Sequence, residues 1–545
     1  MPGPRFLDQF ADAARTSRTI LSSGVLRPER PDRLWHAAQA LHRWGAGTAA
    51  LFAMGSARFG DAPALIDERG PVSFRDLDAR AEAVARGLVE TGVRAGDTVA
   101  ILCRNHRHFF EITGALAKIG ANALYLNTGL AAQQIDVIVQ RERAVLVVHD
   151  DEFGPVVGAA GVEPRLIAWR DQLDPGRPPD RAIRTLDELA ARHADGPPLV
   201  RPAHAGRTII MTSGTTGLPK GAFVASTPHV GPAIALLERL PYRSREKMVI
   251  AAPCFHAWGF ANANTSLLLG DTMVLERKFD PEQSLALLAH HRAEVFVAVP
   301  VMLMRMIELP AEVRARYETS SLRFVPLSGS ALPGDLATRF MDAFGDVIYN
   351  LYGSTEVGSV SVATPTDLRA APTTAGRPPR GTLIRLLDDD GHDVPEGTKG
   401  RIFVRGPLAF SGYTDGGSKA IVDGYMHTGD TGHVDQNGRL FVDGRDDEMI
   451  VSGGENVFPH EVEDVIARHP DVVEAAVIGV PDPEFGARLK AYVVARNGTN
   501  INADAVRDYV RANLARFKVP RDVEFVDELP RNGTGKVMRR ELEQR

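Results

Sequence analysis

Residues 207–221 read RTIIMTSGTTGLPKG, an apolar run that empties into a loop carrying three glycines, four hydroxyls and a lysine. The run from Arg207 to Thr212 has the length and composition of a buried strand. The ten residues after Met211 can be read in two ways. They can offer backbone N–H groups, side-chain donors and one positive charge to an anion, or they can be a polar turn between two strands. Nothing local separates the two.

On both sides of this stretch the same strand-then-loop unit recurs. TVAILC (Thr98 to Cys103), NALYL (Asn122 to Leu126) and AVLVVHD precede the stretch, with helix-length segments such as His108 to Ile119 between them. MVIAAP, TMVLE, EVFVAVP, RFVPLSG and VIYNLYG follow it. Short, nearly continuous apolar runs alternating with helical segments predict parallel strands buried on both faces. The predicted fold class is α/β: a large N-terminal domain with parallel sheets flanked by helices plus a small β subdomain, and a small mobile α+β C-terminal domain. A polar, Pro-rich stretch from Asp171 to His204 reads as surface connection, and the short Gly- and Asp-rich strands of about 382–444 read as the β subdomain. The boundaries expected are a helical extension over 1–60, the large domain over 61–446 and the small domain over 447–545.

Bulk properties narrow the function. A chain of 545 residues exceeds one hydrophobic core, and 44% apolar with 24% charged residues is ordinary globular composition. A net charge of −6 without a long basic run argues against a nucleic-acid partner. Two cysteines, Cys103 and Cys254, each in an apolar stretch, fit buried thiols in a reducing compartment and leave no CxxC or zinc pattern. The first residues lack the layout of a signal peptide, and Trp35 to Met54 is too polar to span a bilayer. The location expected is cytoplasmic. Leu34, Leu41 and Trp44 fall near helical spacing, which predicts an amphipathic helix docked on the protein, with membrane-surface contact through residues 1–60 as the lesser reading.

Ligands of open parallel sheets sit at the carboxyl ends of strands, so the residues after each run carry the chemistry. Besides the opening loop these are Cys254-Phe-His-Ala-Trp-Gly259, Ser328-Gly-Ser-Ala331 and Tyr352-Gly-Ser-Thr-Glu356. Expected to converge on one edge, they offer hydroxyls and a lysine for phosphates, an aromatic ring for a base and a carboxylate for Mg²⁺. There is no GxxxxGK[ST], since Lys220 stands between Pro219 and Gly221, so a Walker-type ATPase is set aside.

TSGTTGLPKG, YGSTE (Tyr352 to Glu356), HTGD (His427 to Asp430), GRDDEMIVSGGENVFPHEVE (Gly444 to Glu463) and PRNGTGKVMRREL (Pro530 to Leu542) occur in that order from roughly residue 60 to the C-terminus. Together they resemble the acyl-adenylate-forming superfamily of acyl-CoA synthetases, firefly luciferase and peptide-synthetase adenylation domains. The resemblance implies a two-step reaction. A carboxylate attacks the α-phosphate of Mg·ATP to give an acyl adenylate and pyrophosphate, and a thiol then displaces AMP. It also implies rotation of the small domain between the steps about a hinge, which maps to Asp447.

Carried over residue by residue, the resemblance assigns Thr212, Ser213, Gly214, Thr215, Thr216, Gly217 and Lys220 to a flexible loop over the ATP phosphates, and Ser328, Gly329, Ser330 and Ala331 to the nucleotide site. Tyr352 and Gly353 would lie near adenine, Thr355 at the α-phosphate, Glu356 with Thr216 on Mg²⁺, and Asp430 with Arg445 at the ribose hydroxyls. Lysine is scarce, nine residues against 54 arginines, yet Lys220 and Lys536 both stand in family motifs. The resemblance gives Lys536 the central role in adenylation, bridging the attacking carboxylate and the α-phosphate. His256 would place the carboxylate or gate the thiol, and Gly453 and Gly454 would line the channel for coenzyme A. The family's GYW segment stands as Gly412-Tyr-Thr-Asp415, and Tyr425 replaces a common tryptophan.

The expected acyl pocket draws on Phe255, Trp258, Gly259 and Val301, which suits an aliphatic acid of medium or long chain. Substrates and cofactors expected are that acid, ATP, Mg²⁺ and coenzyme A, with a homodimer left open. The alternatives are a ligase handing its acyl adenylate to a carrier protein, and a nucleotide-binding protein that has lost catalysis.

Overall fold

The computed structural model describes residues 16–19, 21–24, 29–171, 184–212, 220–224, 236–406, 412–414, 416–417, 419–446, 450–452, 455–482, 486–514, 516–533 and 535–544. The chain forms two compact units. The first comprises Met1–Ala298, Leu309–Pro326 and Leu408–Ser418, and the second Val299–Glu308, Leu327–Pro407 and Lys419–Arg545.

Two sheets build the first unit. Strands Arg165–Ile167, Ala144–His149, Thr98–Leu102, Asn122–Tyr125 and Thr208–Thr212 lie side by side and parallel, and Lys220–Val224 closes the edge antiparallel. Thr98–Leu102 is buried at every residue, as an apolar strand covered on both faces must be. The second sheet runs Val295–Val297, Lys247–Ile250, Thr272–Leu275 and Pro63–Asp67, all parallel, with Gly70–Ser73 antiparallel at its edge. The runs from TVAILC to EVFVAVP are these parallel strands, whereas those of RFVPLSG and VIYNLYG, also expected to be parallel, lie in a separate three-stranded sheet where Ile348–Ser354 pairs antiparallel with Gly358–Ala363. The antiparallel edge at Gly70–Ser73 was not legible in the sequence, because a reversal over two residues leaves the apolar pattern unchanged, whereas the edge at Lys220–Val224 matches the reading of the opening loop as a turn between two strands.

At the N-terminal side, helix Pro31–Trp44 packs beside helix Thr48–Phe59. The face it buries is not the expected one. Ala37 is buried, whereas Leu34 and Leu41 are each 44% exposed and Trp35 is 64% exposed. Of the expected face, Leu34 and Leu41 are left outside and Trp44 is half-buried. Trp44 carries the ammonium of fully buried Lys118 at 5.2 Å from its ring, and Lys118 is neutralised by Asp78 at 2.6 Å and Glu82 at 2.8 Å. No described helix is long and apolar enough to cross a membrane.

Two buried carboxylates brace this unit. Glu111, in helix Arg107–Ile119, is completely buried and accepts from Arg80 Nε at 2.5 Å and His108 Nδ1 at 2.7 Å. Glu276, after strand Thr272–Leu275, accepts from the Asp280 backbone N–H and the Ser284 hydroxyl at 2.8 and 2.7 Å, tying the strand end to helix Pro281–His291. Burial pushes the Glu276 carboxyl up to about 7 from its ordinary 4.5. Between those two values the unfolded chain has released a proton that the folded chain still holds, so stability falls as pH rises through that window and levels off above it. The expected loss is on the order of 3 kcal/mol. Urea midpoints at a series of pH values should show it in the wild type, and Glu276→Gln should remove that part of the slope. An unchanged slope would mean that Glu276 is ionised throughout.

In the second unit, strand Ile348–Ser354 pairs antiparallel with Gly358–Ala363, with a register shift between Tyr352 and Gly353. A Cβ at Gly353 would sit 2.0 Å from the carbonyl oxygen of Gly358, so only glycine fits that turn. The antiparallel sheet that follows orders Leu383–Leu387, Gly400–Arg405, Tyr425–Val434 and Ile421–Val422, with Leu440–Arg445 on Tyr425–Val434. Its core is Ile402, Val404 and Leu440 under Val360. The C-terminal part pairs Val472–Asp482 with Gly486–Ala495, which runs parallel to Asp522–Phe525, and covers the sheet with helices Pro459–Ala467 and Ala503–Asn513.

Candidate functional site

The second unit brings together residues far apart in sequence. Asp430 and Arg445 are register partners on adjacent strands, with the guanidinium 3.6 Å from the carboxylate. The Tyr352 hydroxyl donates to the other carboxylate oxygen of Asp430 at 2.5 Å. Burial and then the Asp430 charge raise the Tyr352 phenol well above its ordinary range, so it stays a donor at any physiological pH. The Asp430 N–H in turn donates to Thr428 Oγ1 at 3.1 Å, and Thr428 Oγ1 donates to the Ile402 carbonyl at 3.1 Å. Gly429 has φ +91° and a Cβ there would meet the Arg445 guanidinium at 3.3 Å, which is why the turn before Asp430 needs glycine. The result is a carboxylate of fixed orientation in a half-buried setting, flanked by a phenol and a guanidinium.

The YGSTE turn is cinched by Ser354, whose Oγ accepts from the backbone N–H of Glu356 and of Val357, each at 3.3 Å. Thr355 and Glu356 are half-buried at the tip. Glu356 offers a hard oxygen ligand, and Mg²⁺ takes one or two carboxylates and completes its octahedron with phosphate oxygens and water, so the donor fits that ion. Ser328 is buried at the end of strand Val325–Leu327, while Gly329 (φ +98°) and Ala331 are exposed and Ser330 half-exposed.

Lys536 is exposed at the tip of a closed turn. Its backbone N–H donates to Asn532 Oδ1 and its carbonyl accepts from Asn532 N–H, both at 2.9 Å. Arg531 donates to the Gly535 carbonyl at 2.5 Å and is ion-paired with Glu474. Gly535 (φ +80°) lies against helix Pro300–Ile307, so that a Cβ on it would stand 2.6 Å from Val301 Cγ1. Val301, expected in the acyl pocket, therefore touches the lysine turn.

In the first unit, Lys220 opens the edge strand opposite Thr212, and its ammonium lies 5.4 Å from the Tyr413 ring. Ala222 bridges Tyr413, and the Thr414 N–H donates to the Gly221 carbonyl at 2.9 Å. The segment that stood out in sequence as a departure thus holds the strand leaving the opening loop. Ser213, Gly214, Thr215, Thr216 and Gly217 lie outside the described residues, as do Asp447, Gly453 and Gly454.

His256 is the half-buried N-cap residue of helix Ala257–Leu269, its N–H on the Pro253 carbonyl at 3.1 Å. Phe255 is buried, and Trp258 Nε1 donates to the Ala298 carbonyl at 3.1 Å. A Cβ at Gly259 would fall 2.3 Å from the Pro253 carbonyl oxygen, so glycine is what lets the helix start against the loop. Asn105 was missed: buried, it donates to the carbonyls of Ile250 and Ala252 at 3.2 and 3.0 Å and accepts from Cys254 N–H at 2.8 Å. A lone Asn between Arg104 and His106 carries no sequence signal for a contact about 150 residues away.

Fold and site define an adenylate-forming enzyme architecture, and a family model described as AMP-binding enzyme matches residues 52–414, with that of the AMP-binding enzyme C-terminal domain matching 461–536. The chain belongs to this family. It is 34% identical over 481 residues to a feruloyl-CoA synthase of Amycolatopsis sp, covering 87% of this chain and 94% of that one. It is 31% identical over 499 residues to the fatty acid–[acyl-carrier-protein] ligase ScoC of Streptomyces coeruleorubidus, covering 89% and 93%. Among solved structures, the anthranilate CoA ligase AuaEII in complex with anthranoyl-AMP superposes with a TM-score of 0.81 at 26% identity, covering 91% of this chain and 96% of that one.

Proposed function

We propose that the protein is an ATP-dependent carboxylic acid–CoA ligase acting through an acyl adenylate. The observation that carries this reading is the family match over most of the chain joined to the geometry of Tyr352, Asp430 and Arg445, a fixed carboxylate suited to two vicinal hydroxyls of a ribose. In this reading Glu356 holds Mg²⁺ on the phosphates, Thr355 meets the α-phosphate, Lys220 the outer phosphates, and Lys536 the reacting carboxylate. Mg²⁺ would neutralise phosphate charge.

The acid is one with an apolar body. Phe255 and Trp258 suit a flat or an aliphatic acyl group alike, and the relatives are named for feruloyl, anthranilate and fatty acyl substrates. A medium- or long-chain fatty acid remains the expectation from the methionines of helix Pro300–Ile307, and a carrier protein in place of coenzyme A is the second reading, favoured by the likeness to ScoC. Pyrophosphate release with Mg·ATP, over fatty acids from acetate to palmitate plus ferulate and anthranilate, with and without coenzyme A, tests all of this. Acid-dependent release that yields thioester only with coenzyme A supports the ligase; release without thioester supports the carrier protein. Silence with every acid overturns the proposal.

The phenol of Tyr352 makes a prediction of its own. Tyr352→Phe keeps the ring but removes the hydrogen bond that orients Asp430. A hydrogen bond to a charged group contributes about 1.5–3 kcal/mol, but Arg445 still steadies the carboxylate. The expected result is a rise in KM for ATP of about tenfold with kcat within about twofold. A matching fall in kcat instead would place the phenol in the chemical step.

A further inference from the structure

Helix Pro300–Ile307 is gripped at both ends by the C-terminal part of the chain. At its start, Gly535 rests on Val301 and Val299, close enough that any side chain on residue 535 would clash with Val301. Just past its end, Glu308 receives Arg496 in an ion pair and Arg339 Nη2 at 2.8 Å on its other oxygen. Arg496 arrives already oriented. Its Nε donates to the Pro470 carbonyl at 3.0 Å and its Nη2 to the Val472 carbonyl at 3.2 Å, leaving Nη1 for Glu308. Arg339, on helix Gly334–Phe344, holds Glu308 from the other side, so neither partner need reorganise when the pair forms.

Eight residues of helix put the two contacts about 12 Å apart. One contact would be a pivot; two that far apart fix an orientation. The turn resting on Val301 is the one that carries Lys536, so the ion pair at the far end determines how that turn lies. Both partners are partly exposed, at 22% and 31%, which leaves the pair open to screening by salt. A contact that must break once in each catalytic cycle has to be of this moderate kind, because a deeply buried pair would make its release slow.

We propose that Glu308 and Arg496 form a latch that seats the C-terminal domain on helix Pro300–Ile307 and so positions Lys536 for adenylation, the pair opening for the thiol step. Both are positioning residues. The inference rests on the acid–CoA ligase reading and on the domain rotation that the family resemblance implies. It adds a pair of residues, and a directional bias, that no motif contains.

The test separates the half-reactions in the full-length protein. Acid-dependent pyrophosphate release from Mg·ATP without coenzyme A reports the first, and thioester formation from synthetic acyl adenylate plus coenzyme A reports the second. Arg496→Ala should slow the first about twofold to fivefold, the scale of one partly exposed ion pair, and leave the second unchanged or faster. Glu308→Gln, which leaves the anchoring of Arg496 to Pro470 and Val472 intact, should give the same split. Added salt should slow the first half-reaction in the wild type and have much less effect in either variant. A parallel fall in both half-reactions, in both variants, would show that the pair only supports folding and would overturn the latch. So would two variants that match the wild type. A wild type that releases no pyrophosphate with any acid overturns the ligase reading itself, an outcome distinct from an active enzyme whose variants show no split.

Discussion

Lys536→Ala is expected to lower acid-dependent pyrophosphate release by at least about 100-fold, the scale on which removing one preorganised donor from a developing charge slows a reaction. The reason lies in the turn as much as in the ammonium. Asn532 closes both backbone groups of Lys536, Arg531 fixes the Gly535 carbonyl, and Gly535 takes a φ of +80° in contact with Val301. So constrained a turn fixes where the Lys536 stem begins, which narrows the region its ammonium can reach and favours a transition state formed there. Lys536→Arg keeps the charge but replaces a compact ammonium by a wide planar fork, and should recover little. The thiol step, started from synthetic acyl adenylate, should run in Lys536→Ala at close to the wild-type rate. Equal losses in the two half-reactions would remove Lys536 from its assigned step, and a loss under about threefold in pyrophosphate release would show that the lysine does not act on the α-phosphate at all.

The contrast between Lys536 and its surroundings shows what was legible in the sequence. The motif PRNGTGKVMRREL marked the lysine, because chemistry demands that residue type in that setting. The parallel strands were legible too, since a strand buried on both faces has to be apolar throughout, as Thr98–Leu102 is. Pairings across the fold were not. Tyr352 and Asp430 stand 78 residues apart and each was read for a ligand, one for a base and the other for a ribose; that they hold each other is a fact of two strands meeting in space. Val301, expected in an acyl pocket from its apolar neighbourhood, also touches the turn that carries Lys536, a contact no local pattern marks. Helical spacing of Leu34, Leu41 and Trp44 points to a docked face, yet only Trp44 of the three is half-buried and the fully covered residue of that helix is Ala37, which periodicity of large side chains does not mark.

Glu111→Ala is expected to loosen the first unit by about 3 kcal/mol, the low end of what breaking a buried ion pair costs. In sequence Glu111 is one carboxylate inside the apolar segment HFFEITGALAKI and nothing there names its partners. In the fold it is wholly buried and receives both Arg80 and His108, and those two partners hold its carboxyl below its ordinary range against the upward push of burial. With Glu111 gone, Arg80 keeps Asp187 at 2.6 Å and remains one-third exposed, so it can relax toward water. His108 keeps Asp187 at 3.4 Å from its Nε2, but it is fully buried and loses the acceptor of its Nδ1–H. The cost is therefore concentrated on one buried N–H without its acceptor and a cavity of carboxyl size. Glu111→Gln retains an acceptor for one partner and should cost about half as much. Hydrogen exchange of the amides in helix Arg107–Ile119 reads the opening of this region directly, without assuming that a two-unit chain unfolds in one step. Exchange there should accelerate by about 100-fold in Glu111→Ala. Amides of the Val472–Asp482 strand, in the other unit, should keep their wild-type rates. Protection in Arg107–Ile119 that survives the substitution would mean that the helix is held by its apolar face alone, through Phe109, Ile112 and Leu116, and that the buried carboxylate contributes nothing net.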